Sequence, residues 1–285
     1  MAHWLEALYA DGVAYAEEAL DIARELGRLP LIHYAQLTLA SLLQAVGYVD
    51  RAVELMSELC RMFDGPNRDM RLGGVEVPGS LSRGFMAEFL VDIGRYREAV
   101  DYALAAFEIA QSAREPFSEV MARICLGEAY LHSSENERAV DYLIPAKQQL
   151  EHYGFWPSDP TVSGHLAAAL ARCGRGEEAL AVSQRVFDLN RMTPPRAMHA
   201  LWAGHTEARW AALGPVAALD AANSAVDFAR ERGAAGRLVQ ALGVRVRIRR
   251  DIDPIDPLIL SDREEQAQLC VRFGLVAWEP GIGSR

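Results

Sequence analysis

The chain has 285 residues, of which 51% are hydrophobic and 24% are charged, and this composition excludes an intrinsically disordered protein. Its 39 acidic and 29 basic side chains give a net charge of -10. That balance argues against direct binding to nucleic acid, because a nucleic-acid backbone is held by a clustered basic surface.

The N-terminal segment and the cysteines indicate where the protein works. The first residues, MAHWLEALYADG, lack the basic start and apolar stretch of a signal peptide, and no run approaches the ~18 apolar residues of a membrane span. The four cysteines, at positions 60, 125, 173 and 270, show no C-x-x-C spacing and lie in apolar helical contexts. We therefore expect a cytoplasmic protein with no membrane partner.

Four segments along the chain share one pattern of small, charged and apolar residues. Each carries an alanine five positions after its start, and the separations between these alanines are 47, 40 and 40 residues. Self-similarity at a fixed period is the signature of a repeat architecture. The segments are GYVDRAVELMSEL from Gly47, GRYREAVDYALAA from Gly94, SENERAVDYLIPA from Ser134 and GRGEEALAVSQRV from Gly174.

Within one unit, apolar and small residues recur at helical spacing twice, on either side of a turn. Leu126, Gly127 and Tyr130 share one face of a first helix, and Ala139 and Leu143 share one face of a second. The pattern predicts an all-α fold. We expect a single domain over residues 1–285, a right-handed superhelical solenoid of about seven antiparallel helix pairs with repeats of about 40 residues.

Glycine and proline residues predict where the helices end. Residues 64–80 are rich in Gly, Pro, Asn and Asp, and we interpret them as a loop inserted between two repeats. Pro254 and Pro257 predict an extended linker over residues 251–261, after which Ser261 and Glu264 would open the last helix as a capping box. Pro215 suits the first turn of a helix. Further helix ends are expected at Gly27, Gly47, Gly94, Gly174, Gly214 and Gly233.

One dense basic run, VRVRIRR, occupies residues 244–250. Acidic residues Asp251 and Asp253 follow it directly. We interpret the run as a solvated helix end rather than as a contact for nucleic acid.

The motif L-G-x-x-Y at residues 126–130 is followed nine residues later by Ala139 and seven after that by Ala146. This spacing resembles the tetratricopeptide (TPR) signature. Repeats longer than the usual ~34 residues resemble the helical-repeat regions of bacterial signalling proteins, namely regulators of the maltose-activator and LuxR type and class III adenylate cyclases. The resemblance implies a protein-interaction or effector-sensing module. The segments that carry it are REPFSEVMARICLGEAYLHSSENERAVDYL and SGHLAAALARCGRGEEALAVSQ.

The TPR resemblance also implies a binding surface, because the first helix of each TPR pair lines a concave face that binds peptides. Glu88, Glu128 and Glu207 stand at matching positions of three predicted first helices, so we expect their carboxylates in one channel. Such a channel would favour a cationic or mixed peptide through charge-assisted contacts. The alternative is that the three glutamates form a solvated face.

Aromatic residues cluster in the segment HYGFWPSDP, which holds Tyr153, Phe155 and Trp156. Large aromatic side chains in a loop between repeats can present a contact patch for a partner, so Phe155 and Trp156 are candidate partner-binding residues. We favour the alternative, in which they plug the gap between adjacent helix pairs.

The chain shows no phosphate-binding loop, nucleophile elbow or histidine spacing suited to a metal. We therefore expect no catalytic activity, no cofactor and no metal. The preferred hypothesis is a protein- or peptide-binding scaffold that uses the concave face. The alternative is a sensor or regulatory arm of a bacterial signalling protein, a transcription regulator or adenylate cyclase, that responds to a small effector or a partner.

Overall fold

The computed structural model describes residues 9–189 and 195–276. Within these ranges the chain forms thirteen α-helices and no β-strand. Two short 3-10 turns, Gly65–Asn67 and Trp156–Ser158, lie in the connections. The helices are α1 (Tyr9–Glu25), α2 (Leu29–Val46), α3 (Val49–Met62), α4 (Pro78–Asp92), α5 (Tyr96–Ala113), α6 (Pro116–His132), α7 (Asn136–Tyr153), α8 (Asp159–Arg172), α9 (Gly176–Asp188), α10 (Pro195–Leu213), α11 (Pro215–Glu231), α12 (Ala235–Ile252) and α13 (Leu258–Phe273).

Consecutive helices pack as pairs, α2 with α3, α4 with α5, and so on to α12 with α13. Helix α1 packs on α2 as the second helix of a preceding unit, whose predicted first helix lies outside the described residues. The first helices α4, α6, α8 and α10 also contact one another side by side. They form an inner layer, and the second helices form an outer one. The predicted all-α solenoid of about seven pairs is confirmed.

Small residues bring helix backbones together at two crossings. A Cβ atom on Gly127 of α6 would lie 2.3 Å from Leu143 Cγ of α7, so this leucine side chain packs directly on the α6 backbone. A Cβ atom on Gly204 of α10 would lie 1.9 Å from the carbonyl oxygen of Gly164 of α8. Neither separation leaves room for a larger residue. The second crossing draws two neighbouring first helices together.

The glycines predicted at helix ends occupy the conformations that require glycine. Gly47, Gly94 and Gly174 have φ values of +102°, +76° and +77°, and all six predicted glycines have positive φ. Ser134 takes the same place in the third repeat segment and also has positive φ, 63°. Pro215 is the first residue of α11, as predicted.

Two connections are shorter than the sequence predicts. The inserted loop ends at residue 77, because Pro78 begins α4, so residues 78–80 of the predicted loop are helical. The linker between α12 and α13 covers only residues 253–257. Asp253 and Asp256 each accept a hydrogen bond from the backbone N–H two residues on, and these turns start α13 early. Ser261 therefore lies inside α13, and the predicted capping box is wrong.

The basic run at residues 244–250 is not the solvated helix end that the sequence suggests. Arg245 is buried and donates two hydrogen bonds to Asp262, at 2.9 and 2.6 Å. Arg249 donates to Asp256 at 2.8 Å. Asp256 lies in the linker and Asp262 lies on α13, so the interpretation failed because only the return of the chain along α12 brings these acceptors into reach. The basic run therefore links α12 to α13 and to the linker between them.

By length and composition alone, α2 is the single described helix that could cross a membrane, with a mean hydropathy of 1.2 over 18 residues. It packs against α1, α3, α4 and α12. An inner helix with neighbours on several sides is expected to be this apolar.

The C-terminal pair packs back onto the N-terminal units and closes the array into a ring. Helix α12 contacts α2, and Phe273 at the end of α13 packs edge-to-face on Tyr48, with ring centroids 5.7 Å apart. A Cβ atom on Gly47 would lie 2.7 Å from Phe273 Cγ. The backbone N–H of Val276 donates to the carbonyl oxygen of Asp92 at 3.4 Å. The sequence pattern did not predict this closure.

Candidate functional site

The closed ring surrounds a cavity of about 630 Å³ that is partly open to solvent. Within the described part of the chain, residues from all six first helices line it, namely α2, α4, α6, α8, α10 and α12. Ligand sites in proteins have volumes of about 300–1,000 Å³ and combine apolar walls with a few polar groups, and this cavity has both properties. Its apolar wall includes Leu37, Leu81, Phe85, Phe117, Met121 and Ile124.

One end of the cavity carries a cluster of charged side chains. Arg237, in the first turn of α12, has its Nη2 atom 2.6 Å from Glu88 Oε1 of α4 and its Nη1 atom 3.4 Å from Glu128 Oε1 of α6. The side chains of Glu88 and Glu128 are 14% and 5% exposed. Burial lowers the pKa of Arg237, but Asp92, Glu128 and Glu88 outweigh that effect and raise it above the usual value. Arg237 is therefore a cation that joins three helices.

Asp92 extends this cluster to α2. Its two carboxylate oxygens accept hydrogen bonds from Gln44 Nε2 of α2 at 2.5 Å and from Gln240 Nε2 of α12 at 3.2 Å. Burial raises the pKa of Asp92 to about 6, although Arg237 and the bond from Gln44 act in the opposite direction. Asp92 thus bridges the first and last described pairs through two amides.

His165 of α8 completes the polar end of the cavity. Its Nε2 atom lies 3.9 Å from Glu128 Oε2. Burial, together with the nearby charge of Arg237, lowers the pKa of His165 to about 4, so the imidazole is neutral near pH 7. The contact with Glu128 is then not an ion pair. Burial also lowers the pKa of His132, in the adjoining small pocket of about 50 Å³.

A second polar group lies at the loop between α3 and α4. The hydroxyl of Tyr34 donates a hydrogen bond to Glu76 Oε1, and both residues line the cavity. Burial raises the pKa of Tyr34 to about 12, and the bond to Glu76 raises it as well. This part of the wall is neutral on the tyrosine side and acidic on the glutamate side.

The predicted glutamates do not all meet. Glu88 and Glu128 converge on Arg237 and line the cavity. Glu207 of α10 instead lines the small adjoining pocket, where it accepts two hydrogen bonds from Arg172 of α8, both at 2.6 Å. The sequence predicts three carboxylates in one channel. Two of them, Glu88 and Glu128, share the large cavity, and Glu207 does not line it. Whether any of the three binds a partner stays a prediction.

The two predicted aromatic residues separate into different environments. Phe155 lines the cavity, packs edge-to-face on Phe117 of α6 at 5.4 Å and stacks on Tyr153 at 5.6 Å. Phe155 therefore packs on α6 at the cavity wall, and both its plug role and its role as a partner contact stay predictions. Trp156 begins the following 3-10 turn and is 42% exposed. Its role as a partner contact stays a prediction.

The sequence reading missed Arg237, Asp92, Gln44, Gln240 and His165. None of them stands at the repeat position of Glu88 and Glu128, so the register alone did not select them. Charge was the available signal for Arg237, which is the one charged residue in the segment AAGRLVQALG. Within the described residues, no group of three or more His, Cys, Asp or Glu side chains is arranged to hold a metal ion.

No protein-family model and no curated protein matches the sequence. Solved structures share its fold. A Rap protein in complex with competence and sporulation factor superposes with a TM-score of 0.65 at 14% identity, covering 96% of this chain and 76% of that one. Aspartyl phosphate phosphatase F from Bacillus subtilis gives 0.59 at 12% identity, with 87% and 62% covered. A kinesin-light-chain protein of Podosopora anserina with nearly identical TPR-like repeats gives 0.50 at 18% identity, with 70% and 94% covered. At these identities the likeness concerns the fold, and the chain is a TPR-like helical solenoid.

Proposed function

We propose that this protein is a protein- or peptide-binding scaffold and that its binding site is the cavity inside the ring. The observation that carries the proposal is a cavity of about 630 Å³ bounded by the inner helices, with an apolar wall and a charged end. A TPR-like solenoid presents its inner helices to a ligand as one continuous surface. The Rap protein with a similar fold was solved in complex with a factor, which supports a binding role for this architecture.

The bound segment carries a cationic group. The described charged residues of the cavity wall are Glu76, Glu88, Glu128 and Arg237, so carboxylates predominate among them. His165 adds no positive charge near pH 7, because burial lowers its pKa to about 4. Charge-assisted hydrogen bonds to partly desolvated carboxylates are stronger than those between neutral groups. A lysine, an arginine or a terminal amine fits such an end of the cavity, and apolar neighbours fit its wall.

Thermal unfolding in the presence of two matched peptide mixtures tests this proposal. The first mixture contains blocked tetrapeptides with one arginine and three apolar residues, and the second replaces the arginine with citrulline, which has the same shape without the charge. We expect the arginine mixture to raise the Tm more, since a ligand at 100 times its Kd stabilises the folded state by about 2.7 kcal/mol. Glu88→Gln and Glu128→Gln should each reduce the shift.

Glu119→Gln is the matched control. Glu119 lies on α6 with Glu128, is paired with Arg123 at 2.8 Å, and does not line the cavity. Its substitution should leave the shift unchanged. Equal shifts from the arginine and citrulline mixtures would refute the cationic group, and no shift from either mixture would refute peptide binding in the cavity.

A second candidate is the sensor arm of a bacterial signalling protein, such as a transcription regulator or adenylate cyclase. The volume of the cavity favours it, because about 630 Å³ accommodates a whole small molecule as readily as part of a peptide. Native mass spectrometry of protein purified from its own host distinguishes the two. A retained small molecule supports the sensor, and a retained peptide supports the scaffold.

A further inference from the structure

The closure of the ring is a contact between distant parts of the chain. A solenoid is held together chiefly by neighbouring units, and here α12 also packs on α2. The α12 side chains Arg237 and Gln240 donate hydrogen bonds to Glu88 and Asp92 of α4. The contact of α12 with α2 is much smaller than its contact with α11 or α13. Weakly held seams of this kind open at a lower free energy than the continuous core.

Much of this seam consists of polar contacts. Arg237 reaches Glu88 across 149 residues of sequence and Glu128 across 109 residues. Gln240, one turn further along α12, donates to Asp92, which also accepts from Gln44 of α2. A ligand that carries similar hydrogen-bond donors can replace such a contact, because it donates to the same carboxylates.

Arg237 also lines the cavity, so it stands where a ligand cation would stand. Its guanidinium group shows that Glu88 and Glu128 can bind a cation, since both carboxylates lie within 3.4 Å of it. A ligand cation that takes these carboxylates removes the contacts that Arg237 makes from α12 to α4 and α6. Occupation of the site and closure of the ring therefore use the same two acceptors.

We propose that Arg237 is an internal substitute for the cationic group of the ligand, and that a ligand bound to Glu88 and Glu128 displaces it and releases α12 from α4 and α6. This inference rests on the proposed function of the cavity. By linkage, the closed ring weakens ligand binding as much as the ligand weakens closure. The position of α12 and α13 therefore depends on whether a ligand occupies the cavity.

Hydrogen exchange of the full chain without ligand tests the closure. We expect Arg237→Gln to accelerate exchange of α12 and α13 by about tenfold, with the α6–α9 region unchanged. Glu88→Gln keeps Arg237 and removes its nearest carboxylate, so it should accelerate the same helices if Arg237→Gln does not fold. Arg230→Gln is the control, because the pair of Arg230 with Glu265 is largely exposed and joins α11 to α13 outside the seam. Exchange in Arg237→Gln that equals the control would overturn the proposal.

Binding of the arginine tetrapeptide mixture to wild type and Arg237→Gln tests the competition. Removal of the internal competitor should tighten binding by about tenfold. Unchanged or weaker binding means that Arg237 does not compete, and the proposal fails while the scaffold stands. If neither protein binds the mixture, the proposed function fails, and competition for its ligand fails with it. Accelerated exchange would then identify Arg237 as a structural tie only.

Discussion

Helices α8 and α10 are joined by a buried ion pair whose removal should have a large and specific effect. Arg172 and Glu207 are only 4% and 3% exposed and share two hydrogen bonds of 2.6 Å. Arg172 also donates to the carbonyl oxygen of Leu131 on α6 at 3.1 Å, so it links three first helices. The perturbation is a double-mutant cycle with Arg172→Met, Glu207→Leu and the two together.

The magnitude follows from the burial of both charges. Two unit charges about 4 Å apart attract by about 4 kcal/mol at an effective dielectric constant of about 20. Removal of one member of a buried pair leaves the other charge uncompensated and costs about 3–5 kcal/mol. Replacement of both by apolar residues of similar volume is often close to neutral. We therefore expect Arg172→Met and Glu207→Leu each to lower the free energy of unfolding by about 3–5 kcal/mol, and the double variant to lose about 1 kcal/mol or less.

Equilibrium unfolding in urea, followed by circular dichroism at the helical band, measures these differences. The m-value must stay constant across the variants, so that a shifted midpoint reports stability alone. Arg175 and Glu178, at the start of α9, form the matched control pair, at 2.7 Å but 38% and 59% exposed. The same cycle there should change the midpoint little. A double variant at Arg172 and Glu207 that loses as much as the sum of the single variants would refute the reasoning.

Two further predictions concern packing and pH. Gly127→Ala should lower the free energy of unfolding by about 1–3 kcal/mol, because the new Cβ would lie 2.3 Å from a core leucine. Stability should also fall on acidification between pH 6.5 and 4, because burial lowers the pKa of His33, His165 and His205 from 6.5 to about 4 and the unfolded chain then binds more protons. Asp92 acts in the opposite direction, since its pKa is raised from 3.8 to about 6, but this one carboxyl is outweighed by the three imidazoles and by His132, whose pKa burial also lowers. The expected slope is on the order of 3–4 kcal/mol per pH unit near pH 5.

Urea titrations measure both effects. Gly236→Ala is the control for the packing prediction, because the nearest atom to its Cβ would be 3.5 Å away, an ordinary contact. It should be neutral or slightly stabilising, as alanine favours a helix over glycine. Equal losses for the two alanine variants would contradict the steric argument. A free energy of unfolding that increases as the pH is lowered from 6.5 to 4 would show that Asp92, and not the histidines, dominates the pH dependence in this range.

The repeat and its helix ends could be predicted because they depend on residues close together in sequence. Alanines at 52, 99, 139 and 179 are all fully buried, as the register requires. Glycines such as Gly47 and Gly94 mark turns by their own backbone freedom. The register also placed Glu88 and Glu128 on one wall. Ser261 misled the prediction because two aspartates upstream offered the backbone an earlier start for the helix.

The sequence by itself therefore determined the TPR-like helical pairs, the inner and outer layers and the position of two acidic residues on the inner surface. Only the tertiary structure decided that the array closes into a ring, because closure depends on small rotations between pairs that accumulate along the solenoid. Closure in turn placed Arg237 on Glu88, 149 residues earlier in the chain. The same closure turned a concave face into a cavity surrounded by the inner helices, with Arg237 as the protein's own cation at its acidic end.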